Sequence, residues 1–196
     1  MSLPERATRK RRIDRALMEA GWLPIVAYGD YVSGDVVVFE EYPTARGPAD
    51  YALFHDGEPL AIVEAKKLAI GPQNVLQQAQ RYARGVADSP FDFHGFRVPF
   101  IYSTNGEVIW FQDLRHPQSR SRQVRKFHTP AALREMLARD LVAPVDWLRA
   151  QPIDHPILRP YQREAIASIE SALLSGRRRI LVAMATGTGK TLTAIA

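Results

Sequence analysis

The chain predicts an α/β domain followed by the opening of a second one. Three observations carry this. Runs with helical and strand periodicity alternate through the first two thirds, prolines then cluster, and a Gly-rich loop stands near the last residue. At 196 residues with 46% hydrophobic content, there is enough chain to bury a core without covalent staples. Cysteine is absent, which excludes disulfides and thiolate metal sites and suits a reducing cytoplasm. No run approaches the length of a membrane span, and the basic N-terminus lacks the apolar stretch of a secretory signal. A net charge of +5 permits a polyanionic partner.

Pro4 to Ala20 reads as a helix, with Ile13, Leu17 and Ala20 at helical spacing and Gly21 as the stop. "GDVVVFEEYPT" is a strand running into a turn. "DYALFHDGEPLAIVEAKK" divides at Asp56-Gly57, a hairpin signal between two β-rich runs. "NVLQQAQRYARGV" is helical, and "VPFIYSTNGEVIWFQDL" is two strands about Asn105-Gly106. This order gives a first domain over residues 1–145. Pro144, Pro152, Pro156 and Pro160 punctuate a stretch that resembles a linker, placed at 146–156. Residues 157–196 then read as amphipathic helix, strand, Gly-rich loop and the start of another helix. A chain that stops inside a helix is expected to be the front of a longer protein.

Apolar strands do not need Asp50, Glu64 and Lys66 in order to fold, so these charges invite another reading. Glu64 and Lys66 are two apart on one strand and so share a sheet face. Asp50 opens the neighbouring strand and can come alongside them. Two carboxylates beside a lysine suit phosphodiester hydrolysis: the acids hold Mg²⁺, which activates water, and the lysine offsets developing charge. The competing reading is a solvated face with a cross-strand salt bridge. Against it, Ala61, Ile62, Val63 and Ala65 mark this strand as central, where unpaired charge is costly. No two of the histidines stand at a metal-binding spacing, so zinc is not expected.

Asp50, Glu64 and Lys66, with about a dozen residues between the first two, resemble the three motif positions of the PD-(D/E)xK nuclease superfamily, with Ala49 in place of its proline. More narrowly, "ERATRKRRIDRALMEAGW", "GPADYALFHDGEPLAIVEAKK", "QQAQRYA" and "VPFIYSTNGEVIWF" resemble the N-terminal domain of type I restriction enzyme R subunits. The resemblance implies a central mixed sheet flanked by helices. Gln78 and Tyr82 occupy the family's Gln-x-x-x-Tyr element, one helical turn apart, which implies a role in nuclease activity; a core aromatic is the alternative for Tyr82. Glu5 is the candidate for the helix acid that completes the metal shell, with Glu19, Glu40 and Glu41 as weaker ones. Lys67 is expected on the sheet face opposite Lys66.

"MATGTGKT" places a Gly-rich loop between strand and helix, where backbone N–H groups face phosphate. Thr186, Gly187, Thr188 and Gly189 form the cradle, Lys190 reaches the β/γ-phosphates and Thr191 holds Mg²⁺. Met184 replaces the first glycine of the usual pattern, and the loop is closer to the form seen in superfamily two helicases. "LRPYQREAI" resembles the adenine-reading element of those motors, which implies that Gln162 contacts the base. The segment is thus expected to begin a RecA-like helicase domain that uses ATP with Mg²⁺. The later helicase elements are missing, so the chain itself is expected to bind nucleotide weakly at most and to show no ATPase.

Arg9 to Arg12, Arg120 to Lys126 and Arg177 to Arg179 are dense in basic residues. Any of them could track a phosphate backbone, with a solvated helix face or loop the better reading for each taken singly. Arg115 to Lys126 has the composition of a flexible loop and is the one to test for DNA contact. The resemblance implies an ATP-dependent endonuclease acting on double-stranded DNA, in complex with modification and specificity subunits. Two alternatives compete: another nuclease–helicase fusion in repair or phage defence, and an inactive nuclease fold that only binds DNA or docks a motor.

Overall fold

The computed structural model describes residues 5–30, 33–65, 72–117, 119–139, 143–153, 156–175, 177 and 179–195. Its chain divides into two compact units, Met1–Arg139 and Asp140–Ala196.

The first unit runs α1 (Glu5–Glu19), β1 (Ile25–Ala27), β2 (Val36–Tyr42), β3 (Ala49–His55), β4 (Glu58–Ala65), α2 (Pro72–Arg84), β5 (Phe100–Thr104), β6 (Ile109–Asp113), β7 (Arg122–Val124) and α3 (Pro130–Ala138). All seven strands lie in one sheet, in chain order. The pairs β1–β2 and β4–β5 are parallel and the other four antiparallel, so the sheet is mixed. Helix α2 supplies the crossover that a parallel β4–β5 pair needs. Asp56 and Gly57 close the β3–β4 hairpin with φ of +53° and +74°, the left-handed pair that matches the strand twist. At the β5–β6 turn the Asn105 side chain accepts from the N–H groups of Glu107 (3.0 Å) and Val108 (2.7 Å), an Asx turn.

Alternation along β3 and β4 makes two cores. Tyr51, Leu53 and Val63 join Ile13 and Leu17 of α1 and Leu133 of α3. Ala52 and Ile62 join Ala79, Tyr82 and Ala83 of α2 on the other face. Helix α3 is tied down by arginines that sequence periodicity does not reveal. Arg134 donates to the His55 carbonyl and its ring Nδ1 and pairs with Glu58. Arg115, held by Asp113 at 2.8 Å, points its guanidinium at the terminal carbonyls of α3, which satisfies acceptors the helix leaves open.

Several expectations need correction here. Strands β1 and β7 and helix α3 are too short for periodicity to show. The stretch from Arg115 to Lys126, expected as a loop, holds a short strand among its described residues. This is β7, paired to β6 through Ile109–Val124, Trp110–Gln123 and Phe111–Arg122, and Arg115 is turned inward.

The second unit has α4 (Ala143–Ala150), α5 (Pro160–Leu174) and α6 (Lys190–Ile195). The proline-punctuated stretch read as linker is therefore helical over its first part, with Pro144 at the second position of α4, where a missing N–H costs nothing. The expected strand before the Gly-rich loop is not formed among the described residues, and Leu181 is 94% exposed. An extended segment becomes a strand only when a neighbour takes up its N–H and C=O groups. Among the described residues, no helix is long and apolar enough to cross a membrane.

Candidate active site

Glu64 lies near the end of β4 and is 4% exposed. It pairs in register with Ser103 of parallel β5, whose Oγ donates to the Glu64 carbonyl at 3.4 Å. On the other side, the antiparallel register that pairs Tyr51 with Val63 brings the next residues, Asp50 and Glu64, alongside. Directly opposed Cβ atoms on such strands are about 5 Å apart. The Asp50 carboxylate is fixed there: its Oδ2 accepts from the Ala65 backbone N–H at 2.6 Å. That bond closes the ladder at the mouth of the hairpin. It uses only part of a carboxylate's roughly four acceptor positions.

Strand alternation sets Asp50 with Ala52 and Glu64 with Ile62, on the sheet face that α2 covers. Gln78 and Tyr82 stand on that helix. Gln78 Nε2 donates to the Tyr82 hydroxyl at 2.8 Å, and Tyr82 is 6% exposed within the α2-side core. Tyr82 is thus a core aromatic whose hydroxyl is held by Gln78. Lys66 and Lys67 lie outside the described residues. Glu5 begins α1, but its side chain lies outside them too.

The weaker acid candidates separate by position. Glu19 is bound by Arg15 at 2.8 Å on the exposed surface of α1. Glu40 faces the opposite side of the sheet, where Lys10 meets it at 2.7 Å. Glu41 lies across from Asp50 in the β2–β3 register, exposed and with φ of +50°. Among the described residues, no three of His, Cys, Asp or Glu are grouped to hold a metal ion.

Sequence reading missed a polar network on the α1 side of the same strands. The Tyr51 hydroxyl donates to Asp14 Oδ1 at 2.7 Å, and Lys10 bridges towards Asp14 and Glu40. Burial, then the bond to Asp14, raises the Tyr51 phenol well above its ordinary range. Burial also raises Asp14, while the Glu40 hydrogen bond raises Lys10. These groups fasten α1 to β2 and β3 behind the acid pair. Their only advance sign was Asp14 falling one residue after Ile13 on a helix with an apolar stripe.

In the second unit, Gly187 and Gly189 take φ of +80° and +76°, a backbone region that side chains resist. Thr188 closes the turn on the Ala185 carbonyl at 2.7 Å. Lys190 and Thr191 open α6 and are exposed, as is Thr186. Gln162 is 2% exposed and its amide is used at both ends. Its Oε1 accepts from the Arg159 N–H at 2.9 Å, and its Nε2 donates to the carbonyls of Thr188 at 3.1 Å and Gly189 at 3.2 Å. A Cβ at position 189 would come within 2.6 Å of that nitrogen. Gln162, the candidate for contact with a base, thus grips the Gly-rich loop.

Residues 33–137 match the family described as type I restriction enzyme EcoKI endonuclease subunit second domain, and residues 155–196 match the type III restriction enzyme res subunit family. The chain is 32% identical over 94% of its length to the type I restriction enzyme EcoKI endonuclease subunit of Escherichia coli K12, and 33% identical over 91% to the EcoAI endonuclease subunit of Escherichia coli. It spans 20% and 23% of those relatives. A solved fragment of an HsdR subunit of a type I restriction enzyme from Vibrio vulnificus YJ016 covers 99% of this chain, and the chain 37% of it, at 30% identity with a TM-score of 0.50. With a family match across more than half of the chain, this protein belongs to the type I restriction enzyme endonuclease (R) subunits.

Proposed function

We propose that the first unit is the nuclease of a type I restriction subunit, with a PD-(D/E)xK-type site that cuts double-stranded DNA using Mg²⁺. The observation that supports it most is the Asp50–Ala65 hydrogen bond, which holds one carboxylate beside the buried Glu64. Two neighbouring carboxylates in a buried sheet end repel each other unless a cation lies between them. Their donor set, oxygen only, suits Mg²⁺, which commonly binds through one or two carboxylates and keeps its waters.

Asp50 and Glu64 would hold the ion, with Glu5 as a third candidate. Bound there, Mg²⁺ supplies Lewis-acid polarisation of a phosphodiester and activation of water. The chain's own residues do the rest. Ala65 N–H fixes the Asp50 carboxylate, so that little reorganisation is needed when the substrate arrives. Glu64 contributes a charge that the apolar sheet keeps from being screened. Lys66, two residues on, offsets the charge that develops on the phosphate. Gln78 and Tyr82 buttress the same face.

In the second unit we read the loop from Thr186 to Thr191 as the phosphate cradle of an ATP-driven translocase. The whole protein would couple ATP-fuelled movement on DNA to cutting, beside modification and specificity subunits in the cytoplasm. The test is cleavage of circular duplex DNA with Mg²⁺ by the assembled enzyme, comparing wild type with Asp50→Ala and Lys66→Ala. Abolished cutting with translocation intact supports the reading. Normal cutting by both variants would place the nuclease elsewhere.

A further inference from the structure

The turn before Asp50 is locked onto the end of α2. Thr44 and Gly47 close the turn on each other, with Thr44 Oγ1 donating to the Gly47 carbonyl at 2.6 Å. Ala45 N–H then donates to the Gly85 carbonyl, just past the helix, at 2.8 Å. The approach is tight at 85, where a Cβ would lie 3.0 Å from Ala45 N and 3.1 Å from Arg46 N, so that a side chain there would press on the turn. At Gly47, with φ of +107°, a Cβ would meet Tyr82 Cε1 at 3.6 Å. A turn three residues ahead of the acid pair is therefore held at a fixed place over the last turn of α2.

That junction gathers positive charge. Arg46 is at the tip of the turn, and Arg81 and Arg84, three residues apart, share one stripe of the helix end. All three are exposed. Elsewhere in this unit Arg12, Arg15, Arg115, Arg134 and Arg139 each hold a carboxylate. Among the described residues, Arg46, Arg81 and Arg84, like Arg11, Arg97, Arg120, Arg122 and Arg125, have none within ion-pair distance; what sets the three apart is that the docked turn brings them together. Arg84 is kept in place without an acid: its guanidinium lies 3.8 Å over the Phe96 ring and donates to the His94 carbonyl at 3.1 Å. Arg81 lies 5.4 Å from the centroid of the Tyr82 ring. The end of a helix favours cations, which accounts for Arg81 and Arg84 but not for Arg46, which the docked turn brings to them.

Two carboxylates repel a phosphate backbone, so a nuclease built on them needs positive charge nearby to bring the polyanion in. We propose that Arg46, Arg81 and Arg84 form the docking surface for the phosphate backbone of duplex DNA next to Asp50 and Glu64. The proposal rests on the nuclease reading above. The contacts are to phosphate, so they position the duplex and carry no sequence information.

The test is fluorescence anisotropy of a short labelled duplex with the protein in EDTA, so that binding is read without cutting. Arg46→Ala/Arg81→Ala is expected to weaken binding by about tenfold and to make the dependence of log K on log salt shallower by about 1 per arginine. Its melting temperature should stay close to wild type, since the Arg81 guanidinium only lies 5.4 Å from the Tyr82 ring centroid, on the exposed surface. Arg120→Ala/Arg125→Ala, which removes the same charge elsewhere, is the control and should bind within about twofold of wild type. Unchanged affinity and slope in the first variant, or an equal loss in the control, overturns the proposal. If binding is unchanged there while Asp50→Ala abolishes cleavage, the surface is wrong and the nuclease reading stands. If binding falls but wild type cuts nothing with Mg²⁺, the surface stands and that reading fails.

Discussion

The carboxylate of Asp50 accepts the backbone N–H of Ala65 at 2.6 Å, across the hairpin from Glu64. One side chain thus closes the β3–β4 ladder and is placed beside a second acid. Substitutions at 50 should separate the two roles. Asp50→Asn keeps an acceptor for Ala65 and should melt close to wild type, yet bind Mn²⁺ at least about tenfold more weakly, since it loses the charge that attracts the ion. Asp50→Ala should also cost about 1 kcal/mol for the orphaned N–H, roughly 2–4 °C in Tm. Calorimetry showing equal Mn²⁺ affinity in wild type and both variants would remove the metal site.

Glu64 is nearly isosteric with Gln, so Glu64→Gln removes the buried charge while preserving packing. Without metal the variant should be as stable as wild type or more so, because burying a carboxylate is costly. Wild type should gain Tm on addition of Mg²⁺ by mass action, and the variant should not. Equal metal-induced stabilisation in the two would show that Glu64 is not a ligand.

Tyr82 can be split in the same way. Tyr82→Phe loses only the bond from Gln78 and should cost about 1 kcal/mol. Tyr82→Ala empties part of the α2-side core and should cost about 3–5 kcal/mol. Reduced cleavage by Tyr82→Phe and Gln78→Ala at near-native stability would give the pair a role at the site. Full activity in both would leave Tyr82 purely structural.

Gln162→Ala should loosen the phosphate loop, since three hydrogen bonds end on that side chain. Amide hydrogen exchange at residues 186–193 should speed up with no nucleotide present. If Gln162 serves only to read a base, exchange there will match wild type.

His128 should make stability depend on pH. Its Nδ1 is 2.7 Å from the Tyr102 hydroxyl, whose oxygen also faces the His128 N–H at 3.4 Å. Which of the two donates depends on the imidazole tautomer. Burial, helped by the Arg122 charge, lowers the His128 pKa from 6.5. The folded state binds the proton less readily than the unfolded chain, so this contribution is complete above about pH 6.5 and is lost as pH falls through the lower folded value. Melting curves between pH 8 and pH 5 should therefore drop on the acid side for wild type and less steeply for His128→Gln. Parallel curves would count against this assignment.

Much of this protein was legible in its sequence because the relevant forces are local. Helix α1 and α2 show their buried stripes through residue spacing. The β3–β4 hairpin announces itself through Asp56-Gly57, a dipeptide that tolerates the left-handed backbone the turn requires. The acid pair followed from the same logic: period-2 alternation puts Glu64 on a chosen face, and the hairpin brings Asp50 to it. Three-residue strands such as β1 and β7 carry too few residues for any period, and they form because β2 and β6 offer them an edge. The stretch before Thr186 shows the converse, a strand-like sequence that pairs with no strand among the described residues. Long-range polar contacts were equally invisible, since a guanidinium finds its partner through space. Arg115 reaching the end of α3, Asp14 receiving Tyr51, and Gln162 gripping Thr188 and Gly189 each join residues more than twenty apart. The sequence supplied the residues able to make those bonds, and only the packing of helices on strands brought donor and acceptor within 3 Å or so of each other.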